Sequence, residues 1–200
     1  MLQKLLENID VLIESNDRWR IERDDIRRRI GVVLDEIKES GYKCNAPRMR
    51  DPKTNKILPR TEKEKRERSI VSQLFILLNI MDRPVLYEIE KYAVSLRSKA
   101  TTFVEMDDTL KNRRYIRDEL VEVYHELERL IKTVDDTKHR LLDQVSEFER
   151  EVSYNEHHLR LTRRFCSALG NHIFDCKTHL CLLRKTISFF AEPPESPPHL

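Results

Sequence analysis

Apolar residues recur in steps of three and four along most of this chain. From Ile89 to Phe190 one heptad register continues, and most of its a and d positions hold apolar, aromatic or Cys residues. A heptad repeat of this length is typical of a helix with an apolar seam on one side, which a second helix covers. The pattern therefore predicts an all-α protein built as an elongated coiled coil.

The pattern also divides the chain into segments. We expect an N-terminal heptad helix in 1–40 (helical from about 2 to 39), a connector over 41–60, the first part of a long helix over 61–88, a continuous heptad coiled coil over 89–190 and a proline-rich tail over 191–200. Thr61 and Glu64 form a capping-box pattern at the start of the long helix. Pro84 coincides with a stutter in the register, which predicts a kink there. Gly170–Asn171 is the other place where a break is expected. A connector that turns the chain back would make an N-terminal helical hairpin.

Composition narrows the function classes. Charged residues make up 36% of the chain, only three glycines occur, and the net charge is +2. This charge is too small to indicate a nucleic-acid or membrane partner for the whole molecule. The densest apolar run, Leu74–Leu78, is too short to cross a bilayer, and the N-terminus shows no signal-peptide pattern. The four cysteines lack the spacing of a disulfide framework, so an intracellular, cytoplasmic or cytoskeletal location is expected.

Several seam positions hold polar residues, and none of these residues is acidic. They are Asn16, Arg23, Lys99, Arg113, Arg117, Lys138 and Asn155. In a parallel homodimer each basic residue would face its own copy across a partly buried layer, which is unfavourable. This favours a second coiled-coil chain with acidic residues at the matching layers. The alternatives are that the basic heads reach water from the seam, or that an antiparallel pairing offsets them.

The connector carries the sharpest local charge imbalance of the sequence. Its cations are Lys43, Arg48, Arg50, Lys53, Lys56 and Arg60, against the single Asp51. Such a loop could bind an acidic protein surface, for example a tubulin tail, or could be basic only for solubility. The pattern disfavours nucleic-acid binding because Tyr42 is the only aromatic residue of the connector available to stack on a base.

No catalytic or cofactor-binding constellation is apparent. His172, Cys176 and His179 share one helical face at a spacing that suits zinc, but the heptad already accounts for Cys176 as a small apolar seam residue. We therefore expect no metal site, no cofactor and no enzymatic activity. The other histidines are expected on solvated faces, and Trp19, at a d position, is expected in the core.

These patterns favour a structural or scaffolding subunit that assembles with another coiled-coil protein, as in axonemal, centrosomal or microtubule-associated complexes. The alternative is a regulated helical-hairpin binding module for a signalling or trafficking partner such as a small GTPase. Residues 61–67, followed by Leu74, Leu78 and Asp82–Arg83, resemble the second helix of Rab-binding helical hairpins. The resemblance is confined to this short part of the chain and does not set its family. An exposed apolar patch on residues 61–98 would favour the binding module.

Overall fold

The computed structural model describes residues 1–42, 48–150 and 156–191, which form five helices. They are α1 (Leu2–Glu39), α2 (Glu62–Met81), α3 (Val85–Val104), α4 (Leu110–Arg150) and α5 (Glu156–Ala191). The prediction of an all-α protein is confirmed. The proline-rich tail after Ala191, together with Lys43 and Asn155, lies outside the described residues.

The sequence signals for the end of α1 and for both ends of α2 agree with the structure. Gly41, just after α1, has a φ of 90°, the left-handed conformation that glycine adopts without steric cost. Thr61 and Glu64 make both hydrogen bonds of the capping box at the start of α2. The helix is interrupted between Met81 and Val85, where Pro84 predicts a break.

The continuous helix expected over 89–190 is wrong at one described place. α3 ends at Val104, and α4 begins only at Leu110. The side chain of Thr109 accepts a hydrogen bond from the Asn112 N–H (3.2 Å), and the Asn112 amide donates to the Asp107 carbonyl (3.0 Å). Side-chain bonds of this kind compete with helix continuation and start a new helix. The break expected at Gly170–Asn171 does not occur, because α5 runs through these residues.

The chain divides into two compact units. The first unit comprises residues 1–21, 83–138 and, within the described part, 168–191. The second comprises the described residues of 22–82 and 139–167. α2 belongs to the second unit and α3 to the first, whereas α1, α4 and α5 each contribute a segment to both.

In the first unit four helical segments pack as an antiparallel bundle. The pairs that show the directions are Asp10–Arg97 (3.2 Å) and Arg20–Glu90 (3.6 Å) between α1 and α3, Lys99–Glu119 (2.6 Å) and Glu88–Arg129 (3.7 Å) between α3 and α4, and Asn8–His179 (3.5 Å) and Ser15–His172 (3.3 Å) between α1 and α5. In each set the residue numbers rise on one helix and fall on the other. This order buries the apolar faces inside one chain.

In the second unit α1 also runs antiparallel to α2. Arg27 pairs with Asp82, and Ser40 donates to Glu67 (3.5 Å). The expected N-terminal helical hairpin is therefore present in this unit. On another side of α1, Arg164 of α5 pairs with Glu22 and with Asp25 (2.8 Å).

The buried stripe of α4 and α5 differs from the predicted seam. On both helices the described d positions are buried as expected, but every described g position except Gln144 is buried as well. These g residues are Ile116, Val123, Leu130 and Thr137 on α4, and His158, Phe165, His172, His179 and Thr186 on α5. The stripe is widened to include g because each helix packs against two neighbours, which requires a wider apolar face than a two-helix seam.

Candidate interaction surface

The described part of the connector forms a short hairpin, Met49–Leu58, in the second unit. Arg50 and Ile57 form an antiparallel bridge. The Leu58 N–H donates to the Met49 carbonyl (2.8 Å), and the Asp51 N–H donates to the Lys56 carbonyl (2.8 Å). Asn55 closes the turn with a φ of 54°, a left-handed conformation that asparagine tolerates. We call this element, with the flanking Arg48 and Arg60, the basic hairpin.

The single acidic residue of the basic hairpin is used by its own turn. The Asp51 carboxylate accepts hydrogen bonds from the backbone N–H groups of Lys53 (2.7 Å) and Thr54 (3.1 Å). These bonds hold the pKa of Asp51 below its usual value. The carboxylate is therefore ionised and shapes the loop, and no ion pair joins it to a cation within the described residues.

The cations of the basic hairpin lie on its outside. Arg48, Arg50, Lys53 and Lys56 are exposed, and Arg60 is half-buried. Exposed apolar side chains accompany them: Met49 (77% exposed), Ile57 and Leu58. A loop that presents positive charge beside apolar side chains suits a surface that is acidic and partly apolar.

α2 follows the hairpin and extends the same chemistry. The acidic residues of its first turns are engaged: Glu64 caps Thr61, which lowers the pKa of that carboxyl, and Glu62 pairs with Lys65 (2.6 Å). Further along, Phe75 is 50% exposed and Ile76 is 40% exposed. An exposed aromatic residue next to an exposed aliphatic one forms an apolar patch on the outside of α2. The other large apolar side chains of this helix are mostly buried.

Arg113 is one of the buried residues among the predicted polar seam residues. It is buried in the first unit, and its guanidinium donates to Asp108 (3.1 Å) and to the Phe189 carbonyl (2.7 Å). It also lies over the rings of Phe189 (5.1 Å) and Phe190 (5.4 Å). The acidic partner expected for this layer is supplied by the same chain.

The remaining predicted seam residues occupy varied places. Lys99 donates to Glu119 (2.6 Å), and this bond raises the pKa of Lys99. Arg117 pairs with its neighbour Asp118 (2.7 Å) at the surface, and Lys138 lies 3.9 Å from Asp135. Arg23 and Asn16 are buried on α1, Arg23 with a bond to Asp24 (2.9 Å). The structure does not gather these residues into one site.

The expectation that the remaining histidines lie on solvated faces is wrong for one of them, His158. His158, His172 and His179 are all buried, and burial lowers the pKa of each to about 4. Trp19 stacks on His172 in the core, as its d position predicts. The heptad seam consists of a and d positions, and these histidines stand at g positions. The heptad pattern therefore did not predict that they are buried.

The Cys176 thiol and the His172 imidazole of α5 do not form a reactive pair. The Sγ of Cys176 lies 3.9 Å from His172 Nε2, and burial raises the pKa of the Cys176 thiol to about 12. Such a thiol stays protonated near neutral pH, which disfavours both nucleophilic attack and metal binding. Among the described residues no group of three or more His, Cys, Asp or Glu side chains could hold a metal ion.

By length and composition alone, the stretch Glu62–Val104 is apolar enough to cross a membrane, with a mean hydropathy of 1.3 over its most apolar 18 residues. The sequence-based expectation of no such stretch is thus too strict. In the structure 39% of that window is buried, and Leu74, Leu77 and Met81 of α2 belong to the core of the second unit.

The chain matches no protein-family model, no curated protein and no solved structure.

Proposed function

We propose that this chain is a non-enzymatic interaction module that binds an acidic protein surface through the basic hairpin. The observation that carries the proposal is the state of the charges there. Asp51 is held by backbone N–H groups, while Arg48, Lys53 and Lys56 project into solvent. A loop with fixed backbone bonds presents these exposed cations within one short segment, which strengthens attraction to a row of carboxylates.

The pairing of basic seam residues with carboxylates of the same chain supports a partner at the outer surface. Lys99, Arg113 and Arg117 each have a carboxylate of this chain within hydrogen-bond distance. The expectation of a second coiled-coil chain depended on acidic residues from outside. Carboxylates within the chain favour a partner bound outside the cores over a helix inserted along the seam.

One setting for such a module is a scaffolding role in a cytoskeletal complex, where an acidic tubulin tail would be a suitable surface. A trafficking or signalling role, with a partner such as a small GTPase, is the second candidate. It is favoured by the exposed Phe75 and Ile76, which provide the apolar patch on residues 61–98 that a helical-hairpin binding module needs.

The test is a titration of a fluorescently labelled, glutamate-rich peptide followed by anisotropy. We expect the triple variant Arg48→Glu, Lys53→Glu and Lys56→Glu to weaken binding by about tenfold or more, since each reversal turns an attraction into a repulsion. Binding by the unchanged chain should also weaken as the NaCl concentration rises.

The matched control reverses three exposed lysines of the first unit: Lys91, Lys132 and Lys185. It changes the net charge by the same amount and should retain binding within about threefold of the unchanged chain. Equal loss in the two triple variants would indicate a general charge effect and would contradict a specific role for the basic hairpin.

A further inference from the structure

The outer face of α2 presents apolar and basic side chains in a fixed order. Phe75 and Ile76 lie on either side of Ser72, because residues three and four apart are neighbours on a helix surface. One further turn towards the N-terminus are Arg68 and Lys65, both exposed. We call these five residues the α2 outer face. Its apolar end is half exposed, whereas Leu74 and Leu77 of the same helix are buried.

A groove with a volume of about 460 Å³ is lined by residues from Arg60 to Ile76, and the exposed Phe75 is next to Ile76 in sequence but is not part of the lining. It passes Lys65, Arg68 and Ser72 on the way. The lining residues within α2 run from Lys65 to Ile76, which at the helical rise per residue is about 16 Å, or about three turns of a helix. The groove therefore has the length of a helical segment and is too open for a small molecule to be enclosed.

The charges of the groove have one sign. Every charged residue that lines it is a cation: Arg60, Lys65 and Arg68. Lys65 pairs with Glu62 outside the groove (2.6 Å), whereas no ion pair to Arg68 occurs within the described part of the chain. Glu67, the nearest acidic residue in sequence, points to Lys63 (3.7 Å) and Ser40 (3.5 Å). A ligand for this groove must therefore supply negative charge.

We propose that the α2 outer face is the docking site for an acidic amphipathic helix of a partner protein. The apolar stripe of that helix would cover Phe75 and Ile76, and its carboxylates would pair with Arg60 and Arg68. This inference rests on the proposed function, since both require an acidic partner, and it adds the form of that partner. Helix-in-groove recognition combines these elements: apolar anchors give affinity, and charges at the rim set direction and register.

The test uses three synthetic peptides of 18 residues with a fluorescent label. The first has a stripe of leucines on one helical face and glutamates elsewhere. The second has the same composition in scrambled order, and the third contains glutamate and glycine only. We expect the first to bind at least tenfold more tightly than the other two.

The protein variants separate the two surfaces. Phe75→Gln with Ile76→Gln should weaken binding of the amphipathic peptide at least tenfold and leave binding of the glutamate–glycine peptide within about twofold. The matched control, Val94→Gln with Phe174→Gln, replaces two other exposed apolar residues, which are 60% and 69% exposed, and should change neither. Because all four side chains are exposed, circular dichroism should show unchanged helicity in both variants.

Three results would overturn the proposal. One is equal binding of the amphipathic and scrambled peptides, and another is retention of amphipathic binding in the Phe75/Ile76 variant. The third is a dimer of the unchanged chain that the same variant dissociates, which would make a second copy the occupant. The proposed function would still stand after these results if the basic hairpin variant failed to bind the glutamate–glycine peptide. The proposed function would be contradicted only if the basic hairpin variant bound the glutamate–glycine peptide as well as the unchanged chain does.

Discussion

Trp19 of α1 and His172 of α5 stack in the first unit, with ring centroids 5.4 Å apart and an interplanar angle of 17°. Ser15 Oγ lies 3.3 Å from the Nδ1 of His172 and donates to Asp175 (2.6 Å). Burial lowers the pKa of His172, although the nearby Asp175 partly opposes this effect. The stack therefore holds a neutral imidazole between two helices.

The buried histidines predict a loss of stability in acid. His158, His172 and His179 have a pKa of about 4 when folded, against 6.5 as the ordinary value. Below pH 6.5 the unfolded chain binds protons that the folded chain does not, so stability falls from about pH 6.5 to about pH 4 and then levels off. Each histidine contributes a loss of about 2 kcal/mol at pH 5 relative to pH 8. Urea denaturation at pH 8, 6.5 and 5 measures the effect.

A matched pair of variants isolates this effect. His179→Asn removes one buried titrating group, so the dependence of stability on pH should become flatter. His125→Gln removes an exposed histidine and should leave that dependence unchanged. The same pH dependence in both variants would show that the buried imidazoles do not govern acid sensitivity.

Arg113 and Arg117 should respond very differently to truncation. Arg113→Ala removes a buried cation and leaves Asp108 and the Phe189 carbonyl without their donor, so we expect a loss of about 2–4 kcal/mol in the free energy of unfolding. Arg117→Ala breaks only a surface contact with Asp118 and should cost less than about 0.5 kcal/mol. Urea titration followed by circular dichroism gives both values. Similar losses in the two variants would contradict the packing described for Arg113.

The capping box at Thr61 gives a smaller, local prediction. Thr61→Ala removes the side chain that accepts from the Glu64 N–H (3.2 Å) and should destabilise α2 by about 1 kcal/mol. Ser72→Ala, at an exposed position in the middle of the same helix, should be neutral or slightly stabilising. Thermal melts compare the two; a Thr61→Ala variant as stable as Ser72→Ala would mean that the cap contributes little.

The two units predict the behaviour of the isolated chain. Because the apolar faces of each unit are covered by helices of the same molecule, we expect a monomer by light scattering and a cooperative helical melt by circular dichroism. A chain that is weakly helical alone, and becomes helical only with another protein, would instead support a required coiled-coil partner.

Much of the helical structure could be predicted from the sequence, because local signals set it. The C-terminal end of α1 follows from Gly41 and the start of α2 from the Thr61–Glu64 pair, and Pro84 marks the next interruption. Each signal acts within a few residues and needs no knowledge of the fold. The break at 105–109 was missed because the heptad register continues across it, through Phe103, Met106 and Leu110.

The arrangement of the candidate site was less accessible. The cations of the basic hairpin are evident in the sequence, but the hydrogen bonds that occupy Asp51 depend on the turn geometry around Asn55. The number of neighbours for each helix is also a tertiary property. Three apolar g residues on α4 recur at intervals of seven: Ile116, Val123 and Leu130. This recurrence was the signal that could have indicated a wider buried face.

The widened stripe of α4 has a consequence for how this sequence tolerates change. Arg117, Tyr124 and Lys138 stand at a positions that a two-helix seam would bury, yet each is only half-buried. Polar and apolar replacements should both be accepted there, whereas polar replacements at the neighbouring g positions should not. Related sequences would therefore be expected to vary at Arg117, Tyr124 and Lys138 and to stay apolar at Ile116, Val123 and Leu130, whereas a two-stranded rod would constrain the first set.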